Sequence, residues 1–356
     1  MRFYIFQMKT KQTIIILTIG ILFFISCKKN FSLFHSKSEW LTDYFKELKN
    51  YDDIYAVSYW NENFDNTYLK VNSSEKSLQT FKDHINSGDF ISTCKFENGK
   101  LIPLDGIKYF ASFPDFCGEE DCVSKERIAN YENLIGKNIA WAYFSNNWYD
   151  TIQFPYNEVN TIINAGKTPF IRMMARSEFE EYRIDPVWNL KDIINGKYDE
   201  ALTTWFEEAK NIDENLLVEF GTEMNGFWFS WNGKYYGAGT KTEYGDPNYP
   251  DGPEIFRDAY RHIIDICNET GTDNITWFFH FDVNSDPEED WNDPVLYYPG
   301  DNYIDWLGVS TYGPFQRGDK YNDLRPEDLL KKAHKKFKEI SEDKPYAILE
   351  FGVTEL

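Results

Sequence analysis

Apolar residues in this chain gather in runs of seven or eight, rich in β-branched and aromatic side chains. Between them lie longer stretches where apolar positions recur every three or four residues. The first pattern reads as buried strand and the second as amphipathic helix. Eight strands are predicted: 54–60 (IYAVSYW), 107–113 (IKYFASF), 138–144 (NIAWAYF), 168–174 (TPFIRMM), 216–222 (LLVEFGT), 274–281 (NITWFFHF), 304–310 (IDWLGVS) and 345–351 (PYAILEF). Helical spacing predicts 38–49 before the first strand, and then 74–87, 124–135, 157–165, 198–210, 253–268 and 326–340. In 74–87, Leu78, Phe81 and Ile85 share one face. The last helix is the best marked: Pro326 suits its first turn, Glu327 and Asp328 its positive end, and Lys335, Lys336 and Lys338 its negative end. Leu329, Leu330, Ala333, Phe337 and Ile340 form its apolar stripe.

Strands alternating with helices, eight strands in all, are what a (β/α)8 TIM barrel requires. The competing architecture is a doubly wound open sheet. The glycine-rich nucleotide loop expected after its first strand is missing here. No internal repeat, low-complexity tract or Pro/Ser linker divides the chain, so one catalytic-size domain over 38–356 is expected.

Composition narrows the function. Lys plus Arg is 37 against 58 Asp plus Glu, a formal net charge of −21. Such a chain does not suit nucleic acid, an anionic membrane surface or a polyanionic substrate. Aromatic residues are 18% of the chain, with 11 Trp, 24 Tyr and 29 Phe. Part of that surplus is expected on the surface, stacking on flat ligands such as sugar rings.

The N-terminus reads as an address. Arg2, Lys9 and Lys11 precede an apolar run, 13–26, which is shorter than the roughly 20 residues that span a bilayer. The run ends at Ile25-Ser26-Cys27. This resembles a bacterial lipobox, so residues 1–26 are expected to be a lipoprotein signal, Cys27 the lipidated residue and 27–37 a tether. The expected location is the cell envelope, with a lipid anchor in the membrane. An ordinary secretory signal or a short anchor helix is the alternative. Cys94, Cys117, Cys122 and Cys267 show no paired metal spacing. Cys117 and Cys122 are placed to close a small loop in an oxidising compartment, and Cys267 reads as a buried apolar residue. The acidic loop around them (Asp115, Glu119, Glu120, Asp121) reads as solvated, with a Ca²⁺ site as its other reading.

In a barrel, reactive side chains stand at the C-terminal ends of strands. Glu223 and Glu350 both meet that condition. Glycoside hydrolysis needs two carboxyls across the scissile bond, and strands three or four apart in an eight-membered ring face each other. These two could therefore meet at about 5–5.5 Å, the separation that gives retention. Glu219 shares the inward parity of Glu223 and calls for a cation, for which Arg172 is the candidate. Trp60, Trp228 and Trp231 are open to two readings, sugar platforms or core. His280 and Asp282 end a strand, where they would bind sugar hydroxyls or a stray ion; the other reading is satisfied polar groups at the barrel rim. Glu62 is a competing carboxylate at a strand end.

The block Thr222-Glu223-Met224-Asn225-Gly226-Phe227-Trp228 resembles the EMNGxW motif of glycoside hydrolase family 26, a family of endo-β-1,4-mannanases with some β-glucanases and xylanases. Residues 192–210, 298–312 and 344–352 resemble other blocks of that family, and the likeness runs from about 105 to 356. The resemblance implies Glu223 as acid/base and Glu350 as nucleophile, with Tyr312 hydrogen-bonded to the nucleophile and Asn225 and Trp228 near the substrate. It implies a monomer that uses neither metal nor cofactor, with a β-mannan or related β-glycan as its partner. The chain departs from the family at Thr222, where most members carry His.

The stretch 105–356 holds only seven strands. Residues 38–93, a helix, a strand and a helix, resemble the C-terminal end of family members, where a strand ending in Trp closes the barrel. Two readings account for this. In a circular permutation, 54–60 is strand eight and Trp60 lines the sugar site. In a shortened reading frame, the N-terminal segment is a remnant. The first requires 54–60 to pair with both 107–113 and 345–351. The expected function is retaining endo-hydrolysis of β-1,4 links in mannan-type polysaccharides. The alternatives are β-glucan or xylan cleavage by the same fold, or a non-catalytic surface glycan-binding lipoprotein.

Overall fold

A computed structural model describes residues 36–64, 67–179, 181–316, 318–319 and 323–355. The expected signal, Cys27 and most of the tether lie outside the described residues. Eight parallel strands form a closed ring: β1 (Ile54–Trp60), β2 (Lys108–Phe113), β3 (Trp141–Asn147), β4 (Thr168–Met174), β5 (Leu216–Phe220), β6 (Ile275–Asp282), β7 (Trp306–Tyr312) and β8 (Tyr346–Gly352). A ninth, two-residue strand, Phe90–Ile91, pairs with β2 outside the ring. The architecture is the (β/α)8 barrel.

The ring closes through the N-terminal strand. Val57 pairs with Ile348 of β8 on one side and Phe110 of β2 on the other. This is the placement that the permuted reading requires. The helix before it, α1 (Lys37–Leu48), starts with a capping box between Ser36 and Glu39. Its buried stripe of Trp40, Leu41, Tyr44, Phe45 and Leu48 packs on the outside of β7 and β8. Tyr44 stacks on Phe351 at 4.8 Å, and its hydroxyl lies 2.6 Å from Thr311 Oγ1. The helix α2 (Glu75–Ile85) follows β1, and α3 (Pro326–Ile340) fills the crossover from β7 to β8. Pro326 takes the first turn of α3, and Leu329, Leu330, Ala333 and Phe337 are buried under it.

Inside the ring, β-branched runs alternate with aromatic side chains that form a floor. Tyr109, Trp141, Phe170, Phe278 and Trp306 make a closed circle of ring contacts, each 4.8–6.5 Å from the next. A small hairpin (Phe96–Glu97 with Lys100–Leu101) covers this end. Leu101 accepts from the Trp306 indole N–H at 3.0 Å. The aromatic surplus is therefore mostly a core feature. The large aromatic side chains exposed among the described residues are Phe64, Tyr68, Tyr156, Phe179 and Tyr182. The expectation of a broad sugar-stacking surface is corrected accordingly: closing a wide ring without voids takes large flat side chains.

Candidate active site

The site is built at the opposite end, where the strands finish in polar residues. β5 stops at Phe220 rather than at 222. The chain then turns through Gly221 (φ 62), and Glu223 sits in left-handed backbone (φ 48). A non-glycine residue pays about 1 kcal/mol or more for that conformation. Its backbone N–H donates to the carbonyl of His280 on β6 at 3.0 Å, which fixes the turn. Glu350 is within β8, next to Tyr312 on β7. A carboxylate oxygen of Glu223 and one of Glu350 lie within 4.8 Å of each other. Both side chains are buried, 7% and 4% exposed, so they face each other in a nearly dry mouth.

The two carboxyls have different surroundings. Glu223 Oε2 accepts the indole N–H of Trp228 at 3.0 Å. Glu350 Oε2 accepts the Tyr312 hydroxyl at 2.7 Å, and its Oε1 has no hydrogen-bond partner. Arg172 Nη2 stands 3.4 Å from that free oxygen. Burial pushes Glu350 up to about 7 against the pull of Arg172, and the charge of Glu223 adds to the rise. Burial and the nearby Glu223 also hold Asp282 well above the usual carboxylate range.

Below the pair lies a buried polar layer. Glu219 and Arg172 are cross-strand neighbours on β5 and β4, and Arg172 Nε is 3.4 Å from Glu219 Oε1. Tyr143 donates its hydroxyl to that same oxygen, and His280 Nδ1 is 2.9 Å from Oε2. His280 Nε2 lies 2.8 Å from Ser310 Oγ. Burial disfavours charge on both partners, yet their attraction outweighs it, so Glu219 is lowered and His280 raised. The hydroxyl of Thr222 lies 2.9 Å from His280 Nδ1. An imidazole is thus present beside that position, supplied from the next strand.

Several expected roles are corrected by this geometry. Asn225 is fully buried. Its amide donates to the Asp282 carbonyl and accepts from the Asp282 N–H, both at 2.8 Å, so it fastens the loop and has nothing free for a sugar. Trp231 is core: it stacks on Phe229 at 4.5 Å and donates to the Thr222 carbonyl at 2.8 Å. Arg172 and His280, each 2% exposed, touch carboxylates rather than open space. Both nitrogens of His280 are engaged, which also argues against an ion held by Glu223, His280 and Glu350. Trp60 stacks on Phe113 at 4.0 Å and carries the Arg172 guanidinium over its ring at 5.2 Å, so it walls the mouth beside that arginine. Trp228 is half-buried against Glu223.

Sequence reasoning missed Tyr143, Ser310 and Glu120. The first two read as ordinary strand residues, and only the closed ring brings them to His280 and Glu219. Glu120 was placed in a solvated acidic loop. Instead the loop is latched to β3: Tyr149 donates to Glu119 at 2.7 Å, Asn147 to Asp121 at 3.1 Å, and Ser145 to Glu120 at 2.5 Å. The two cysteines bracketing it do form a disulfide, Cys117–Cys122. They were the available signal that its backbone is held.

With this geometry in hand, residues 177–344 match the sequence model of Glycosyl hydrolase family 26. Over that stretch the chain is similar to glycosyl hydrolase family 26. Glu223, Trp228, His280 and Tyr312 fall inside the matched stretch, while Arg172, Glu350 and β1 lie outside it. Endoglucanase H of Acetivibrio thermocellus is 25% identical over 236 residues, 65% of this chain and 23% of that protein. A mannan endo-1,4-beta-mannosidase of Bacillus subtilis is 30% identical over 126 residues, 33% of this chain and 30% of that protein. The chain spans under a third of the length of these curated relatives. Among solved structures, a family 26 beta-mannanase from Bacteroides ovatus aligns with TM-score 0.41 and 16% identity, covering 89% of this chain and 76% of that one.

Proposed function

We propose that this chain is a family 26 glycoside hydrolase, retaining and endo-acting, that cleaves β-1,4 links in mannan-type polysaccharides. The observation that carries the reading is the approach of Glu223 and Glu350 to within 4.8 Å in a dry mouth. A separation of this order fits the roughly 5–5.5 Å of retaining enzymes and falls short of the roughly 6.5–9.5 Å that seats an attacking water, so a direct attack by one carboxylate follows. Glu350 attacks the anomeric carbon through Oε1, the oxygen that accepts no hydrogen bond, while Tyr312 holds Oε2. Glu223 gives its proton to the departing glycosidic oxygen. Trp228 occupies Oε2, so that proton sits on Oε1. In the second half, the Glu223 carboxylate takes a proton from water, the water oxygen attacks the anomeric carbon, and the Glu350 ester bond breaks.

The similarity to an endoglucanase supports β-glucan as the second substrate class. Reducing-sugar release from mannan, β-glucan and xylan by wild type, Glu223→Ala and Glu350→Ala tests the reading. Release chiefly from mannan, lost in both variants, is expected. Turnover of none of the three would favour a glycan-binding protein, and unchanged activity in Glu350→Ala would refute the nucleophile.

We further propose 38–356 as the catalytic domain, acting as a monomer and tethered to the cell envelope by a lipid on Cys27 after removal of 1–26. The basic start, the short apolar run and the Cys at its end support this. Incorporation of labelled palmitate into the protein but not into Cys27→Ala is the expected result, and equal labelling would refute it.

A further inference from the structure

The Glu120 carboxylate reaches the catalytic layer from outside the barrel. Its Oε2 accepts from Arg172 Nη1 at 2.8 Å, closer than Arg172 comes to either Glu219 or Glu350, both at 3.4 Å. Ser145 donates to the same oxygen, and Arg176 Nη2 lies 3.9 Å away. The backbone that delivers it is locked. Glu120 is in left-handed conformation (φ 62), its carbonyl accepts from the Ser145 N–H at 2.9 Å, and the Cys117–Cys122 disulfide closes the loop around it.

We propose that Glu120, held in the barrel mouth by the Cys117–Cys122 loop, is a positioning residue that keeps Arg172 off the attacking oxygen of Glu350. A guanidinium prefers a two-pronged pairing with one carboxylate. Arg172 is buried among three, and the shortest contact goes to Glu120. Without that anchor, Nη1 and Nη2 are free to close on Glu350 Oε1. The nucleophile would then be over-stabilised as an anion and its lone pair blocked. The inference rests on the reading of Glu350 as the reacting carboxylate, but it concerns charge balance that exists without substrate. The other groups facing Glu350 are Tyr143 on β3, Glu223 after β5, Asp282 and His280 on β6, and Tyr312 on β7.

The test is an NMR titration of protein labelled with ¹³C at the glutamate carboxyls. The Glu350 signal is assigned by its loss in Glu350→Gln. Glu120→Gln and the double variant Cys117→Ser/Cys122→Ser are compared with the parent. The Glu350 midpoint is expected to fall by about one pH unit in each, and no further when the changes are combined. The acid limb of kcat/KM should move down with it. A midpoint unchanged in Glu120→Gln overturns the role of Glu120. A shift in Glu120→Gln without one in the cysteine variant overturns the role of the disulfide. The titration uses no substrate, so absence of glycan turnover would refute the hydrolase reading and leave this result readable.

Discussion

Trp228 donates its indole N–H to Glu223 Oε2 at 3.0 Å, five residues along the chain, because the backbone at Gly226 leaves space for the ring to fold back. A Cβ at position 226 would stand 2.1 Å from Trp228 Cζ2. Gly226→Ala is therefore expected to push the indole away from Glu223. Trp228→Phe removes the donor and keeps the ring. Both should lower kcat by about tenfold or more, with the larger loss in Gly226→Ala. Equal kcat in Gly226→Ala and wild type would show that the indole does not orient the acid.

Activity should rise as pH climbs through about 7. Burial pushes Glu350 up to about 7, and below that pH its carboxyl is protonated and has no charge with which to attack the anomeric carbon. Glu223→Gln removes the neighbouring charge that helps raise Glu350, so its Glu350 midpoint should lie lower. A pH profile of kcat/KM and the carboxyl titration check this. A kcat/KM already at its full value at about pH 5 contradicts it.

The same group costs stability. A carboxyl whose folded value is raised favours the protonated fold, so its penalty is absent below the ordinary value of 4.5 and grows as pH climbs through about 7. Glu350→Gln should therefore be more stable than wild type at pH 8, by about 2–3 kcal/mol, and equal to it near pH 4. Denaturant melts at the two pH values measure the difference. A destabilised Glu350→Gln at pH 8 would show that the buried charge is fully compensated.

Ring closure by β1 makes its inward and sheet-facing residues essential. Val57 is completely buried between β8 and β2. Val57→Asp would bury an unpaired charge and should cost several kcal/mol. Loss of the cooperative melt is expected. An unchanged melting temperature would mean that the strand is dispensable to the barrel.

Much of this was legible in the sequence, for a physical reason. All eight strands announce themselves because both faces of a barrel strand are buried. Their upper ends do not. The strand expected at 138–144 runs over Trp141–Asn147, and the one expected at 304–310 runs over Trp306–Tyr312. In each case the strand continues into polar residues, Ser145 to Asn147 and Ser310 to Thr311, that serve the mouth and break the apolar pattern. The proposed catalytic carboxyls, Glu223 and Glu350, stand out by position and motif. Glu120 was not, because its partner Arg172 comes from a strand 52 residues away and only the disulfide-closed turn joins them. The tryptophans divided by packing: Trp228 touches Glu223, while Trp231 is sealed under Phe229, a difference that spacing along the chain does not encode.

The central claim is that Glu350 forms a covalent bond to the sugar. Incubation with a 2-fluoro-mannosyl fluoride, followed by mass mapping of the proteolysed protein, tests it most directly. The account predicts one adduct per chain, on the peptide containing Glu350. An adduct on Glu223, or no adduct in an enzyme that releases its product with inverted anomeric configuration, would contradict it.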